Sequence, residues 1–278
     1  MSNTTEPPFL DSLRDVGVSI NKSAERETIA TGKLYISASL ENATDEDNNL
    51  LRNDYRLKTL IDTYKSLDIG ANPTRSGNML ISKFMGITRI YHPFEASGTF
   101  CQADGFLAPV AEAVWVNGPI GETLEVLDTG VKQICDLFKA LLCQASMYPI
   151  LICGARWMRE QNLLVVLILL VLRVPVEHIA ADYMACVQGL QIDPGRFKSR
   201  GEADLSQAMV EKKAEWVVAI RKHLDDKYGG AEGYLTRGGV TLEEIGSLRE
   251  ALQASDSRKE ADHYKTAEDL DPRYSRYL

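Results

Sequence analysis

The chain has 278 residues, of which 45% are hydrophobic and 25% are charged, a composition that allows a packed core. Its net charge of −8 disfavours nucleic acid or an anionic membrane as a partner, because both are bound through clustered Lys and Arg. The N-terminus has no basic start and no apolar run, so a signal peptide is not expected. The five cysteines are scattered and odd in number, which argues against a disulfide framework and favours a reducing, cytoplasmic location.

Apolar periodicity predicts strands alternating with helices, followed by a helix-rich C-terminal half. Residues 13–17 are expected to end in a turn at Gly17. The predicted strands lie at 33–38, 57–62, partly within 79–91, and at 148–152. The predicted helices run from the Thr44 N-cap to about Tyr55, over 121–146 and 159–172, from 174 onward, over 203–228, and from a capping box at residues 241–244 to about 254.

This order of elements predicts an α/β fold with a central, mostly parallel sheet flanked by helices. The run from Leu163 to Leu172 is too short to cross a bilayer and is expected to form a buried helix. We expect one domain over residues 1–254, followed by a polar tail at 255–278.

The window from Cys153 to Arg159 is the most informative part of the sequence. A cysteine and an arginine lie six positions apart, between an apolar strand and an apolar helix. This spacing is typical of a phosphate-binding loop with a thiolate nucleophile. The chain has no nucleotide-binding motif and no metal-ligand spacing of His or Cys, so no cofactor and no metal are expected.

Several windows resemble the atypical protein-tyrosine phosphatase family of microbes and fungi. Residues 13–17 resemble its "FRDLGG" motif, residues 34–38 its "LYRSA", residues 59–64 its "IIDLR" and residues 228–235 its "YGGVEGYL". The similarity runs in order from about residue 11 to 252. It implies a phosphatase-like fold and a loop of the "HCTAGKDRTG" type. In that loop the cysteine attacks phosphorus and the arginine binds the phosphate, roles that fall on Cys153 and Arg159.

The sequence departs from this family at the reaction centre. The loop's histidine, glycine, lysine, aspartate and hydroxyl residue are replaced, in that order, by Ile152, Arg156, Trp157, Met158 and Glu160. The arginines of "LYRSA" and "IIDLR" are replaced by Ile36 and Tyr64. Loss of the general acid alone costs about 10²–10⁴ in rate, so the pattern predicts a degenerate phosphatase site.

The first interpretation is an enzyme repurposed for a hydrophobic small molecule, as in fungal secondary metabolism. An apolar lining would come from Ile36, Tyr64, Trp157 and Met158. Charged groups that would bind the substrate are Arg14, Asp15 and Arg156, and the catalytic candidates are Cys153, Arg159, Glu160 and Asp62. The reaction would be a cofactor-free cyclisation, dehydration or isomerisation.

Two alternatives stay open. The chain could be an active, unusual phosphatase that uses Cys153 and Arg159, with Arg156 in place of the lost lysine and Asp62 or Asp104 in place of the lost acid. It could also be a catalytically inactive protein that keeps the fold and binds a partner or ligand through the same pocket.

Overall fold

One mixed sheet forms the centre of the protein. The computed structural model describes residues 13–37, 43–63, 80–84, 87–91, 120–154, 159–189 and 213–254. The strands are β1 (Arg14–Asp15), β2 (Leu34–Ser37), β3 (Thr59–Asp62), β4 (Leu80–Phe84), β5 (Ile87–Tyr91) and β6 (Ile150–Cys153). Their order across the sheet is β1-β2-β6-β3-β5-β4. The four inner strands are parallel and the two edge strands are antiparallel, which confirms the predicted mostly parallel sheet.

Helices cover both faces of the sheet and dominate the C-terminal half, as predicted. They are α1 (Val16–Ala24), α2 (Asp45–Asn53), α3 (residues 120–129), α4 (Val131–Leu137), α5 (Arg159–Val171), α6 (Val176–Gly189), α7 (Lys213–Tyr228), α8 (Ala231–Arg237) and α9 (Leu242–Leu252). A π-helical turn at Phe138–Leu142 and a 3₁₀ turn at Ala145–Met147 lead from α4 into β6. The predicted helix caps are confirmed: Thr44 forms a capping box at the start of α2, and Thr241 forms one at the start of α9. The predicted tail at 255–278 lies outside the described residues.

Two elements differ from the sequence prediction, and a glycine lies at each of them. Gly17 lies inside α1 instead of in a turn, because the Asp15 side chain caps the helix by accepting from Val18 N at 3.2 Å. A Cβ at Gly17 would lie 2.8 Å from the Ala30 carbonyl oxygen, so this glycine permits close packing of the chain against α1. The helix predicted over 121–146 is interrupted at Gly130, which separates α3 from α4.

The two sheet faces bury different sets of side chains. Successive residues of a strand point to opposite faces. Ile150 and Ile152 therefore join the main core with α5, whereas Leu151 and Cys153 join a second apolar cluster that includes Leu51 of α2. Every residue from Leu163 to Leu172 is at most 3% exposed, which confirms the predicted buried helix. In the parts of the chain that the structure describes, no helix combines the length and the apolarity needed to span a membrane.

The C-terminal end of α5 is held by side chains from α9 and the residue after it. Arg249 donates from Nε and Nη2 to the Val171 carbonyl at 3.0 and 2.9 Å, and Gln253 Nε2 donates to the Leu172 carbonyl at 3.0 Å. Arg249 also pairs with Glu232 of α8. The last carbonyls of a helix lack partners within the helix, so these bonds satisfy groups that burial would otherwise leave unpaired.

Replacing Arg249 with alanine is therefore expected to lower the free energy of unfolding by about 2 kcal/mol, since hydrogen bonds from charged groups contribute about 1.5–3 kcal/mol. The control is Lys132→Ala, whose ion pair with Asp136 leaves the Lys132 side chain 85% exposed. It should change stability by less than about 0.5 kcal/mol. Urea denaturation of both variants checks the difference, and equal losses would contradict it.

Candidate functional site

Three side chains form a row at the carboxyl edge of the central strands. Ser37 of β2 and Asp62 of β3 are each the register partner of Cys153 of β6. Because β2, β6 and β3 are parallel, their last residues meet at one edge of the sheet, where α/β proteins commonly bind ligands. The sequence placed Cys153 and Asp62 among the site residues, and the structure brings them next to each other.

The Cys153 side chain is enclosed within the protein. It belongs to the apolar cluster that contains Tyr35, Leu60 and Leu151, and it has no exposed surface. The thiol is free. Burial first, and the carboxylate of Asp62 second, raise the pKa of this thiol well above 9.0, and Arg89 opposes them with a smaller effect. These surroundings stabilise the protonated thiol instead of the thiolate that a nucleophile requires.

The chain that leaves β6 is fixed by hydrogen bonds to neighbouring strands. Thr63 donates from both its backbone N and its Oγ1 to the Cys153 carbonyl, at 2.9 and 3.0 Å. Gln161, the third residue of α5, donates from Nε2 to the Ser37 carbonyl at 3.2 Å. Gly154 is buried between them, and a Cβ there would lie 2.1 Å from Gln161 Oε1 and 2.3 Å from Thr63 Oγ1. Only glycine fits this position without displacing both side chains.

Asp62 is paired with Arg89 of β5, whose Nη2 donates to Asp62 Oδ2. The Asp62 side chain is 8% exposed, and that of Arg89 is 37% exposed. The pair therefore runs from the buried row toward solvent. Because the two charges compensate each other, the pair adds no net charge to this edge.

Three other predicted site residues have structural partners. Arg14 binds Asp182 of α6 through Nη1, which also donates to the Asp182 carbonyl at 3.1 Å. Asp15 caps α1 and its Oδ2 accepts from Gly32 N at 2.5 Å. Ile36 is 1% exposed in the main core, on the sheet face opposite to Cys153. Their predicted contacts with a substrate stay predictions.

The remaining site residues fall where the structure gives little or no description. Tyr64, Arg156, Trp157 and Met158, together with the alternative acid Asp104, lie outside the described residues. Arg159 and Glu160 form the first turn of α5, but their side chains are not described. The roles assigned to these residues stay predictions.

Sequence reasoning missed four residues of the site region. Thr63 and Gln161 hold the chain at Gly154, Arg89 pairs with Asp62, and Asp182 pairs with Arg14. One signal was available, because Thr63 lies in residues 59–64, which carry part of the family resemblance. Within the described ranges, no group of three or more His, Cys, Asp or Glu side chains is arranged to hold a metal ion.

Comparison with known proteins adds one finding to this geometry. Residues 161–254 match the family model described as the tyrosine phosphatase family. This match confirms the resemblance to a protein-tyrosine phosphatase-like family, and the α/β architecture is consistent with a phosphatase-like fold. The matched segment begins at the third residue of α5 and runs past the end of α9, so it contains neither Cys153 nor the loop that follows it. No curated protein matches the chain.

Proposed function

We propose that this protein of the tyrosine phosphatase-like family acts without a cysteine nucleophile, on an uncharged small molecule bound at the carboxyl edge of the sheet. The observation that carries the proposal is the enclosed side chain of Cys153, which has no exposed surface and lies in an apolar cluster. A thiol that attacks phosphorus must reach the substrate and ionise readily. Cys153 meets neither requirement.

The charges beside Cys153 support the same conclusion. A phosphoryl group carries negative charge, and its transfer needs a surplus of positive groups around it. Among the side chains that the structure describes at this edge, Asp62 compensates Arg89, and the position of the family's "LYRSA" arginine is Ile36 in the core. These side chains offer no surplus positive charge to a phosphate.

The reaction class follows from the groups that this edge does provide. Cyclisation, dehydration and isomerisation of a hydrophobic metabolite need a group that moves a proton and a site that excludes water. Asp62 supplies a carboxylate within the buried row, and Arg89 fixes its orientation. We assign Asp62 as the acid–base residue of such a cofactor-free conversion, of the kind found in secondary metabolism, and Arg89 as its positioning residue.

The first test is hydrolysis of p-nitrophenyl phosphate by the wild type, Cys153→Ser and the matched control Cys143→Ser, which changes another buried free cysteine. We expect phosphate release to be equally low in all three proteins. A thiol-dependent phosphatase would lose on the order of 10⁴-fold or more in rate when its nucleophile is removed. Such a loss in Cys153→Ser, with Cys143→Ser unaffected, would overturn the proposal.

The second candidate is the cysteine-dependent phosphatase, which the family match over residues 161–254 favours. The same assay separates the two candidates. Alkylation gives an independent measurement, because a thiolate at Cys153 would react with iodoacetamide at neutral pH within the folded protein. We expect Cys153 to react only on unfolding, at the rate of the buried Cys143.

A further inference from the structure

The side-chain amide oxygen of Gln161 is buried and has no hydrogen-bond donor among the described residues. The side chain is 1% exposed, and its Nε2 donates to the Ser37 carbonyl. This hydrogen bond distinguishes the nitrogen of the Gln161 amide from its oxygen, because the Ser37 carbonyl oxygen can only accept and the group facing it must therefore be the nitrogen. In the described part of the chain, no group donates a hydrogen bond to Gln161 Oε1. A buried amide oxygen normally has a donor, so this one calls for an explanation.

A second acceptor lies beside it. The position that a Cβ of Gly154 would take is 2.1 Å from Gln161 Oε1 and 2.3 Å from Thr63 Oγ1. The hydroxyl proton of Thr63 is donated to the Cys153 carbonyl at 3.0 Å, so Thr63 Oγ1 presents only lone pairs to any other group. Because both oxygens lie against Gly154, which has no side chain to separate them, the two acceptors are no more than about 4.4 Å apart (2.1 Å plus 2.3 Å), directly after the row of Ser37, Cys153 and Asp62.

We propose that Gln161 Oε1 and Thr63 Oγ1 form an acceptor pair that selects a ligand carrying a hydroxyl or N–H donor. This inference rests on the proposed function and names the chemistry of its ligand. A donor satisfies the buried amide oxygen, whereas the oxygens of a phosphate dianion are acceptors and would face two further acceptors. Sites built to bind a donor discriminate strongly against analogues that lack it. The ligand is therefore an alcohol, phenol or amide and not a phosphate ester.

The experiment uses three probes with the same ring: benzyl alcohol, benzyl methyl ether and benzyl phosphate. Binding to the full chain is measured by ligand-observed NMR titration. We expect the wild type to bind the alcohol about tenfold more tightly than the ether, and not to bind the phosphate. In Gln161→Met, the ether affinity should stay unchanged while the preference for the alcohol disappears.

A second pair of variants keeps the inference testable if Gln161→Met does not fold. Thr63→Val removes the hydroxyl acceptor, whereas the Thr63 N–H keeps its hydrogen bond to the Cys153 carbonyl, and this variant should bind the alcohol more weakly but the ether equally well. The control Thr236→Val makes the same change at an exposed threonine of α8, and it should bind like the wild type. Equal affinity of the alcohol and the ether, as expected if Gln161 Oε1 holds only a water, would overturn the inference. So would binding of none of the probes.

These outcomes leave the proposed function standing, since they concern only the ligand group that the acceptor pair selects. Cysteine-dependent release of phosphate from benzyl phosphate would overturn the proposed function itself. The two failures are therefore distinguished by which probe responds and by whether Cys153→Ser abolishes the response.

Discussion

Between pH 9 and pH 12, the free energy of unfolding is expected to fall by about 1.4 kcal/mol per pH unit for each buried thiol that keeps its proton in the folded state. Burial raises the pKa of Cys135 and of Cys143 from 9.0 to about 12. The pKa of Cys153 is also raised well above 9.0, by burial and then by Asp62. Two of these thiols alone would give a slope of about 3 kcal/mol per pH unit.

The direction of the effect follows from proton linkage. In the unfolded chain the thiols ionise near 9.0, whereas in the folded protein Cys135 and Cys143 stay protonated until about 12. The unfolded state therefore binds fewer protons in this window, and stability decreases as the pH rises. The stabilisation is complete below pH 9. Tyr228 adds to the loss above pH 10, because burial and then its hydrogen bond to Asp128 raise its pKa from 10.0 to about 12.

Urea denaturation at several pH values from 8 upward, in reducing buffer, measures this slope. The double variant Cys135→Ala/Cys143→Ala is the control. It should be less stable than the wild type at pH 8, because it loses buried volume from the main core. Its stability should nevertheless fall more slowly above pH 9. If the free energy of unfolding fell equally steeply with pH in the two proteins, these thiols would not be the cause of the loss of stability above pH 9.

Gly233→Ala is expected to lower the free energy of unfolding by about 3 kcal/mol. A Cβ at this position in α8 would lie 1.9 Å from the carbonyl oxygen of Tyr228, which is the last residue of α7. Because the clashing atom belongs to the backbone, the added methyl group can be accommodated only if the corner between α7 and α8 moves. That corner is fixed by Gly229 and Gly230, at φ of 74° and 102°. Overpacking typically costs about 1–3 kcal/mol, and more where the backbone must shift.

The matched control is Gly246→Ala, in α9, where the added methyl group meets nothing within 4 Å. Since glycine within a helix costs up to about 1 kcal/mol relative to alanine, this variant should gain stability. The same substitution is thus expected to have opposite signs in α8 and α9, and thermal and urea denaturation report both. A loss of less than about 1 kcal/mol in Gly233→Ala would mean that the α7–α8 corner is more adaptable than its geometry indicates.

The strand endings could be predicted from the sequence, but the face on which each side chain lies could not. Asp62 and Cys153 each end a short apolar run, so their meeting at one edge followed from a parallel sheet. Every residue of β2, β3 and β6 is buried, so these strands show no alternation between apolar and polar residues that would identify the two faces. Ile36 was expected to line the pocket because it replaces the arginine of "LYRSA", and nothing in its own sequence indicates that its side chain lies on the sheet face opposite to Cys153.

Long-range partners explain the other differences. Gln161 lies within an apolar helix, and its role depends on the Ser37 carbonyl, 124 positions away in the chain. Asp182 is 168 positions from Arg14. Neither contact has a local sequence signature. The capping boxes at Thr44 and Thr241, in contrast, depend on residues three positions apart, so the N-cap at Thr44 and the capping box at Thr241 could be predicted from the sequence.

The enclosed thiol of Cys153 also has a consequence for redox chemistry. Oxidation of cysteine by peroxide proceeds from an accessible thiolate, and its rate follows ionisation and exposure. A protonated sulfur without exposed surface is protected on both counts. Oxidative stress would therefore leave this residue reduced while the fold is intact, and the protein would not use Cys153 as a peroxide-sensitive switch.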